Sequence, residues 1–131
     1  MTCIFCHSIT AAQILTETPH FKVIFDIDPI QQGHVLILSK EHLMDLRELS
    51  EVQLLELHKL EKAIITIFEQ ELLVDGVSVI QNNGAIMDEG THFHVHLVPR
   101  YKDDNFWTHQ IVNQKEAALE TVKLRLKRLA K

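Results

Sequence analysis

The chain has 131 residues, 46% hydrophobic and 24% charged, with a formal net charge of −5. That length suits one domain, residues 1–131, around one hydrophobic core; no apolar run is long enough to span a bilayer and no signal-type leader opens the chain, so a cytoplasmic location is expected. The acidic balance argues against a nucleic-acid polymer as ligand, because phosphate backbones are held by basic stripes, but it leaves room for a small anion in a local pocket of donors.

In chain order, Cys3 and Cys6 come first, as Cys-x-x-Cys. A disulfide there would close a tiny loop and stabilise little. A redox pair and half of a zinc site both remain open. Residues 11–38 read as strands: a short stretch over 12–16, a turn at Thr18-Pro19, and a strand over 21–26. In that strand Phe21, Val23 and Phe25 alternate against Lys22, Ile24 and Asp26. A second turn at Asp28-Pro29 leads to an apolar strand over 33–38. Residues 50–72 form a helix, opened by a Ser50–Gln53 capping box and a Leu49–Leu54 staple, with Leu57, Leu60, Ile64, Ile67 and Phe68 as its apolar stripe. A strand over 76–81 ends in the turn Asn82-Asn83-Gly84, and another runs from 92 or 93 to 100. Asn113 with Glu116 caps a last helix with the stripe Ala118, Val122, Leu126 and Leu129. Its Lys123, Arg125, Lys127, Arg128 and Lys131 suit the negative end of the helix dipole and read as a solvated end. The fold class is α+β: an antiparallel sheet of about five strands, one long helix on a face and a C-terminal helix.

The chemistry concentrates in His92-Phe93-His94-Val95-His96-Leu97-Val98. On a strand the three histidines share one face, while Phe93, Val95 and Leu97 share the other. The apolar set can then bury against a core while the imidazoles line a site. Imidazole can act near neutral pH as nucleophile, proton shuttle or metal ligand.

The stretch His-Phe-His-Val-His-Leu-Val-Pro-Arg, residues 92–100, resembles the signature of the histidine-triad superfamily of nucleotide hydrolases and transferases. Gly33-His34-Val35-Leu36-Ile37-Leu38-Ser39-Lys40 resembles the same family's Gly-His strand, and the cysteine pair, the Asp26 region and the Asn82-Asn83-Gly84 turn fall in register. The resemblance covers about residues 3–107. It implies nucleotidyl transfer at the α-phosphate of a nucleoside phosphate conjugate, a dinucleoside polyphosphate or a phosphoramidate, with His94 as nucleophile. His96 and His34 match positions that hydrogen-bond phosphate oxygens. Asp26 matches the acceptor for ribose hydroxyls and Asn82 a phosphate-contacting amide, each with a plain turn role as the alternative. Ile27 and Phe5 are candidates for the base pocket or for the core. A nucleotide-binding module with little turnover is the competing reading. The implied partners are a small purine nucleotide and a second copy in a homodimer, with no membrane.

Two details of the resemblance bear on the site. Many relatives carry Gly-Gln-Ser/Thr-Val before the triad. Here Gly84-Ala85-Ile86-Met87-Asp88-Glu89-Gly90-Thr91 stands there, so Thr91 or a backbone amide is expected to replace the missing donor, and Asp88 and Glu89 to point away from an anion. In zinc-carrying relatives the cysteine pair is completed by the first triad histidine and by one in a context like Lys40-Glu41-His42. This implies a structural Zn2+ on Cys3, Cys6, His42 and His92, four ligands with no open position. The residues His7, His20, His58 and His109 have no assigned partner. Phe106 and Trp107, in a polar setting, suit an interface or a ligand lid.

Overall fold

A computed structural model describes residues 2–129. Five strands, β1 (Ile14–Glu17), β2 (Phe21–Phe25), β3 (Val35–Ser39), β4 (Gly76–Gln81) and β5 (His94–Arg100), form one sheet in the order β1-β2-β3-β5-β4, with every neighbouring pair antiparallel. A short helix α1 (Ile4–His7) precedes the sheet, α2 (Glu51–Leu72) joins β3 to β4, and α3 (Leu119–Arg128) ends the described chain.

The sheet buries two different faces. On one, Phe21, Val23, Val35, Ile37, Phe93, Val95 and Leu97 pack against Leu57, Ile64 and Phe68 of α2. Phe93, Val95 and Leu97 are fully buried, as the alternation requires. On the other, Ile24, Leu36 and Leu38 are covered by Cys3 and Phe5 from the N-terminus. The alternation expected in β2 holds for Phe21 and Val23 against Ile24, which is buried under this cover; Phe25, at the end of the strand, is 55% exposed.

The long helix begins as its sequence dictates. The Gln53 amide N–H donates to the Ser50 hydroxyl (3.1 Å), and the Gln53 side chain accepts from the Ser50 N–H (2.9 Å). Its stripe differs at one place: Ile67 is half exposed. At the other end Leu73 takes the left-handed conformation, φ 55° and ψ 41°. Glu56 ties α2 to the β1–β2 turn, accepting from the Thr18 hydroxyl (2.6 Å), the His20 N–H (2.8 Å) and the His20 ring (2.8 Å). His20 therefore has a partner that its sequence position did not reveal, as does His58, 3.3 Å from Glu61. The His109 side chain lies outside the described residues.

The last helix is shorter than its pattern suggests. It starts at Leu119 with Ala118 at its N-cap, so Asn113 and Glu116 do not cap it. None of its residues is buried, and Val122, Leu126 and Leu129 face solvent. Lys131 lies outside the described residues. No helix among those described is long and apolar enough to cross a membrane.

Candidate active site and metal centre

The register of three strands assembles the site. His94 pairs with Leu38 and His96 with Leu36 across β3–β5, and His96 pairs with Ile80 across β4–β5. Gly33 delivers His34 to the same face. Its φ of +93° suits glycine, and a Cβ there would stand 3.0 Å from Leu72 Cδ1.

His94 is buried, and its Nδ1–H donates to its neighbour's backbone, the His92 carbonyl, at 2.7 Å. The proton is thereby held on Nδ1, and Nε2 keeps its lone pair. A second chain of hydrogen bonds fixes His34 and His96. The Ile30 N–H donates to His34 Nδ1 (3.1 Å), so the His34 hydrogen sits on Nε2, 2.9 Å from His96 Nδ1. His96 Nδ1 then accepts, and its own hydrogen is on Nε2. Burial depresses the pKa of both rings. His34 is lowered although Asp26 pulls it upward. His96 is pushed down to about 4 by burial, with the charges of His94 and His34 adding and Asp26 and Asp88 opposing. Both rings are neutral at physiological pH. The group Asp26, His34 and His96 is close enough to be considered as a metal site, but the Ile30 amide leaves His34 Nε2 protonated, so the group is a hydrogen-bond relay.

A cavity of about 320 Å³ opens over His94 and His96. It is lined on one side by Ile4, Phe5, Ser8, Ile9 and Gln13, and elsewhere by Ile24, Asp26, Ile27, Leu36, Asp88 and Thr91. The structure thus brings His94, His96, Asp26, Ile27 and Thr91 together, with Phe5 beside them. His34 is 1% exposed and stands behind His96 with both nitrogens engaged. Asn82 follows the last paired residue of β4, Gln81 opposite Val95, and does not line the cavity. Asp26 holds the turn considered for it and also lines the cavity. One carboxylate oxygen accepts the Asp28 N–H (2.9 Å), an Asx turn, and the other lies 3.4 Å from His34 Nε2. Thr91 donates its hydroxyl hydrogen to the Asp88 carbonyl (2.6 Å), which leaves it acceptor capacity only. Asp88 lines the cavity rather than pointing away from it.

Cys3, Cys6, His42 and His92 meet beside this cavity, with one ligand atom from each and all four atoms within 4.8 Å of one another. His92 is fully buried and its Nε2–H donates to the Ser39 carbonyl (2.7 Å), so Nδ1 carries a lone pair. Both thiols point at that one nitrogen, Cys3 Sγ at 3.2 Å and Cys6 Sγ at 3.3 Å, and Cys6 Sγ is also 3.2 Å from His42 Nδ1. Thiol hydrogens can serve the rings pairwise, Cys3 with His92 and Cys6 with His42, but all four atoms also converge on one point, and a cation there in place of the protons satisfies all four at once. A nitrogen–sulfur edge of a tetrahedral zinc site is about 3.6 Å, close to these separations. The carbonyl behind His92 is the outer partner such a ligand needs to present Nδ1. The residues fit Zn2+, with no fifth position for substrate.

Sequence reasoning missed the N-terminal wall of the cavity, Ile4, Ser8, Ile9 and Gln13, along with the Ile30 amide behind His34. The only signal for the wall was its adjacency to the cysteine pair.

Comparisons with known proteins agree with this geometry. The HIT domain family model matches residues 9–103. The chain is 32% identical over 109 residues to an adenosine 5′-monophosphoramidase of Schizosaccharomyces pombe, covering 79% of this chain and 78% of the relative. It is 32% identical over 106 residues to a HIT-like protein of Methanocaldococcus jannaschii, covering 78% and 81%. Among solved structures it resembles a Zn-bound histidine triad family protein from Mycobacterium smegmatis, with TM-score 0.68, 26% identity, and 95% and 90% of the two chains covered.

Proposed function

The chain belongs to the HIT domain family, and on that premise we propose that it hydrolyses a purine nucleoside 5′-phosphate joined to an amine, through a covalent nucleotidyl-His94. The observation that carries this reading is the locked tautomer of His94, whose Nδ1–H is held by the His92 carbonyl at 2.7 Å beside a cavity of about 320 Å³. An imidazole whose Nδ1–H is fixed in that way presents Nε2 as its nucleophilic atom.

The steps follow from the hydrogen-bond chain. The His94 Nε2 lone pair forms a bond to the α-phosphorus and the P–N bond breaks; the departing amine keeps the bonding pair and takes a proton from solvent, while the His96 Nε2–H donates to a phosphate oxygen. Water then attacks the phosphorus of the nucleotidyl-His94, His94 Nε2 leaves with its electron pair, the proton of the water passes to solvent, and the nucleoside monophosphate is released. Asp26, with lone pairs beyond those used by Asp28 and His34, accepts from the ribose hydroxyls. Ile24, Ile27 and Phe5 supply an apolar setting for the base. Zn2+, when bound, supplies structural cross-linking of Cys3, Cys6, His42 and His92.

The charge of the cavity favours an amine over a polyphosphate leaving group. Its charged lining residues are Asp26 and Asp88, and among the described residues no lysine or arginine lines it. A chain of phosphates would meet carboxylates there, whereas one α-phosphate needs only the two imidazoles. The amine preference agrees with the activity named for the yeast relative, an adenosine 5′-monophosphoramidase.

The test is a rapid quench without acid, followed by denaturing mass spectrometry, on adenosine phosphoramidates and diadenosine polyphosphates. The expected result is a monophosphate adduct on His94 and faster turnover of the phosphoramidates. Absence of any adduct, with binding retained, supports the competing reading of a nucleotide-binding module. The same reading includes a homodimer, for which the exposed apolar stripe of α3 is a candidate contact.

A further inference from the structure

We propose that the metal centre holds one wall of the nucleotide cavity in place, so that nucleotide affinity follows metal occupancy; this rests on the nucleotide reading of the cavity given above. The wall is Ile4, Phe5, Ser8 and Ile9, and it belongs to the same short segment as the ligands Cys3 and Cys6.

That segment has few attachments of its own. Its helix α1 is four residues long, far below the length at which a helix persists unaided, and it lacks a side-chain cap. Among the described residues, one backbone hydrogen bond joins residues 2–9 to the rest of the chain, from the Ile4 N–H to the Gly90 carbonyl at 2.7 Å. Its other anchors are the burial of Cys3 and Phe5 in the small cluster with Ile24, Leu36 and Leu38, and the two thiols aimed at His42 and His92. Two ligands come from the segment and two from the body, so coordination cross-links the segment to the sheet.

The ligands flank a residue that touches the reactive ring. Phe5, between Cys3 and Cys6, stands edge-on to both His92 (5.5 Å between ring centroids) and His94 (5.0 Å). Loss of the cross-link therefore removes the wall where it meets His94. The body does not depend on it in the same way, because the larger cluster between the sheet and α2 contains none of the four ligands. The consequence is local opening rather than global unfolding.

The experiment uses the full chain in three forms: zinc-loaded, stripped with a chelator, and Cys6→Ser. Cys6 is exposed and outside both core clusters, so this variant removes a ligand without opening a cavity. Adenosine 5′-monophosphate affinity is measured by calorimetry, and amide hydrogen exchange is followed residue by residue. Stripping is expected to weaken the affinity at least tenfold and to abolish protection at Ile4 and Ser8, while amides of α2, β3 and β5 exchange as before. Added zinc restores both in the stripped protein, and Cys6→Ser shifts both in the same direction. Affinity within twofold after stripping, or unchanged protection at Ile4 and Ser8, overturns the proposal. So does loss of protection in α2 and β5 together with residues 4–9, since the metal would then hold the whole fold rather than one wall. A nucleotide that binds neither form refutes the nucleotide reading instead, and the exchange data then judge the wall alone. Failure to find a His94 adduct refutes the covalent step and leaves this result standing.

Discussion

The depressed pKa of His96 makes stability depend on pH in a way that one substitution can isolate. In the folded chain the ring is pushed down to about 4, chiefly by burial, against an ordinary value of 6.5. Its side chain is 21% exposed, so solvent screens the effect only in part. At pH 7 the folded ring is neutral and the unfolded one mostly so, and the pH dependence is small. Below 6.5 the unfolded chain takes up a proton that the folded chain refuses until about 4, so the unfolded state binds more protons and stability falls with falling pH. Each unit of pKa difference corresponds to about 1.4 kcal/mol, so between pH 7 and pH 5 this one ring removes between about 1 and 2 kcal/mol.

The assay is urea unfolding of the wild-type chain and of His96→Gln at pH 7, 6 and 5. Glutamine keeps an oxygen to accept the His34 Nε2–H but does not titrate. His34 is lowered by burial as well, and acid competes with metal for the thiolates; both effects act in the two proteins and cancel in the difference. The groups facing His96 are His94, His34, Asp26 and Asp88, and their influence is part of its shift. The variant is expected to lose less stability than the wild type as pH falls, by roughly 0.5–1 M in urea midpoint at pH 5. Equal pH slopes in the two proteins, within about 0.3 kcal/mol, refute the reasoning.

Three further outcomes are expected. His94→Ala eliminates the nucleotidyl adduct and turnover while zinc content by elemental analysis stays at the wild-type level, because His94 bonds the His92 backbone and not the ligand ring; loss of zinc would show that the two sites are not separable. Leu73→Gly stabilises the fold by about 0.5–1 kcal/mol in thermal or urea unfolding, because it relieves the left-handed backbone (φ 55°) and its side chain is 82% exposed, so little burial is lost. If α3 docks on a second copy, Val122→Asp with Leu126→Asp yields a monomer by sedimentation from a dimeric parent, without changing the melting of the body; a variant that stays dimeric assigns the contact elsewhere.

Much of the site was legible because its chemistry is carried by residue type at short spacing. His94 and His96 sit two apart on a strand, and that spacing alone placed them on one face with Val95 and Leu97 behind. Asp26 was read as either a turn residue or a ribose acceptor; it closes an Asx turn with the Asp28 amide and lines the cavity, with its other oxygen 3.4 Å from His34 Nε2. The placing of His34 behind His96 was not legible. It depends on the Ile30 amide, a backbone donor with no sequence signature, which decides which imidazole nitrogen carries hydrogen. Thr91 or a backbone amide was expected to replace the missing donor; the Thr91 hydroxyl is spent on the Asp88 carbonyl within its own loop, which leaves the backbone amide alternative.

The fold shows where periodicity stops being informative. A 3.6-residue or two-residue repeat marks an apolar face, but not what covers it. In α2 the repeat and the cover coincide at Leu57, Ile64 and Phe68, and only Ile67, at the margin of the stripe, escapes. In β2 the alternation set Phe21 and Val23 against Ile24 without telling what covers either face; Ile24 is 3% exposed because Cys3 and Phe5 lie over it. In α3 the repeat Val122, Leu126, Leu129 is as regular as that of α2, and nothing in the chain covers it among the described residues. The same uncertainty about cover bears directly on the cavity. Its N-terminal wall lies on the sheet face opposite α2, so the pocket's shape depends on where the segment carrying Cys3 and Cys6 sits, which the hydrophobic pattern of no one element gives.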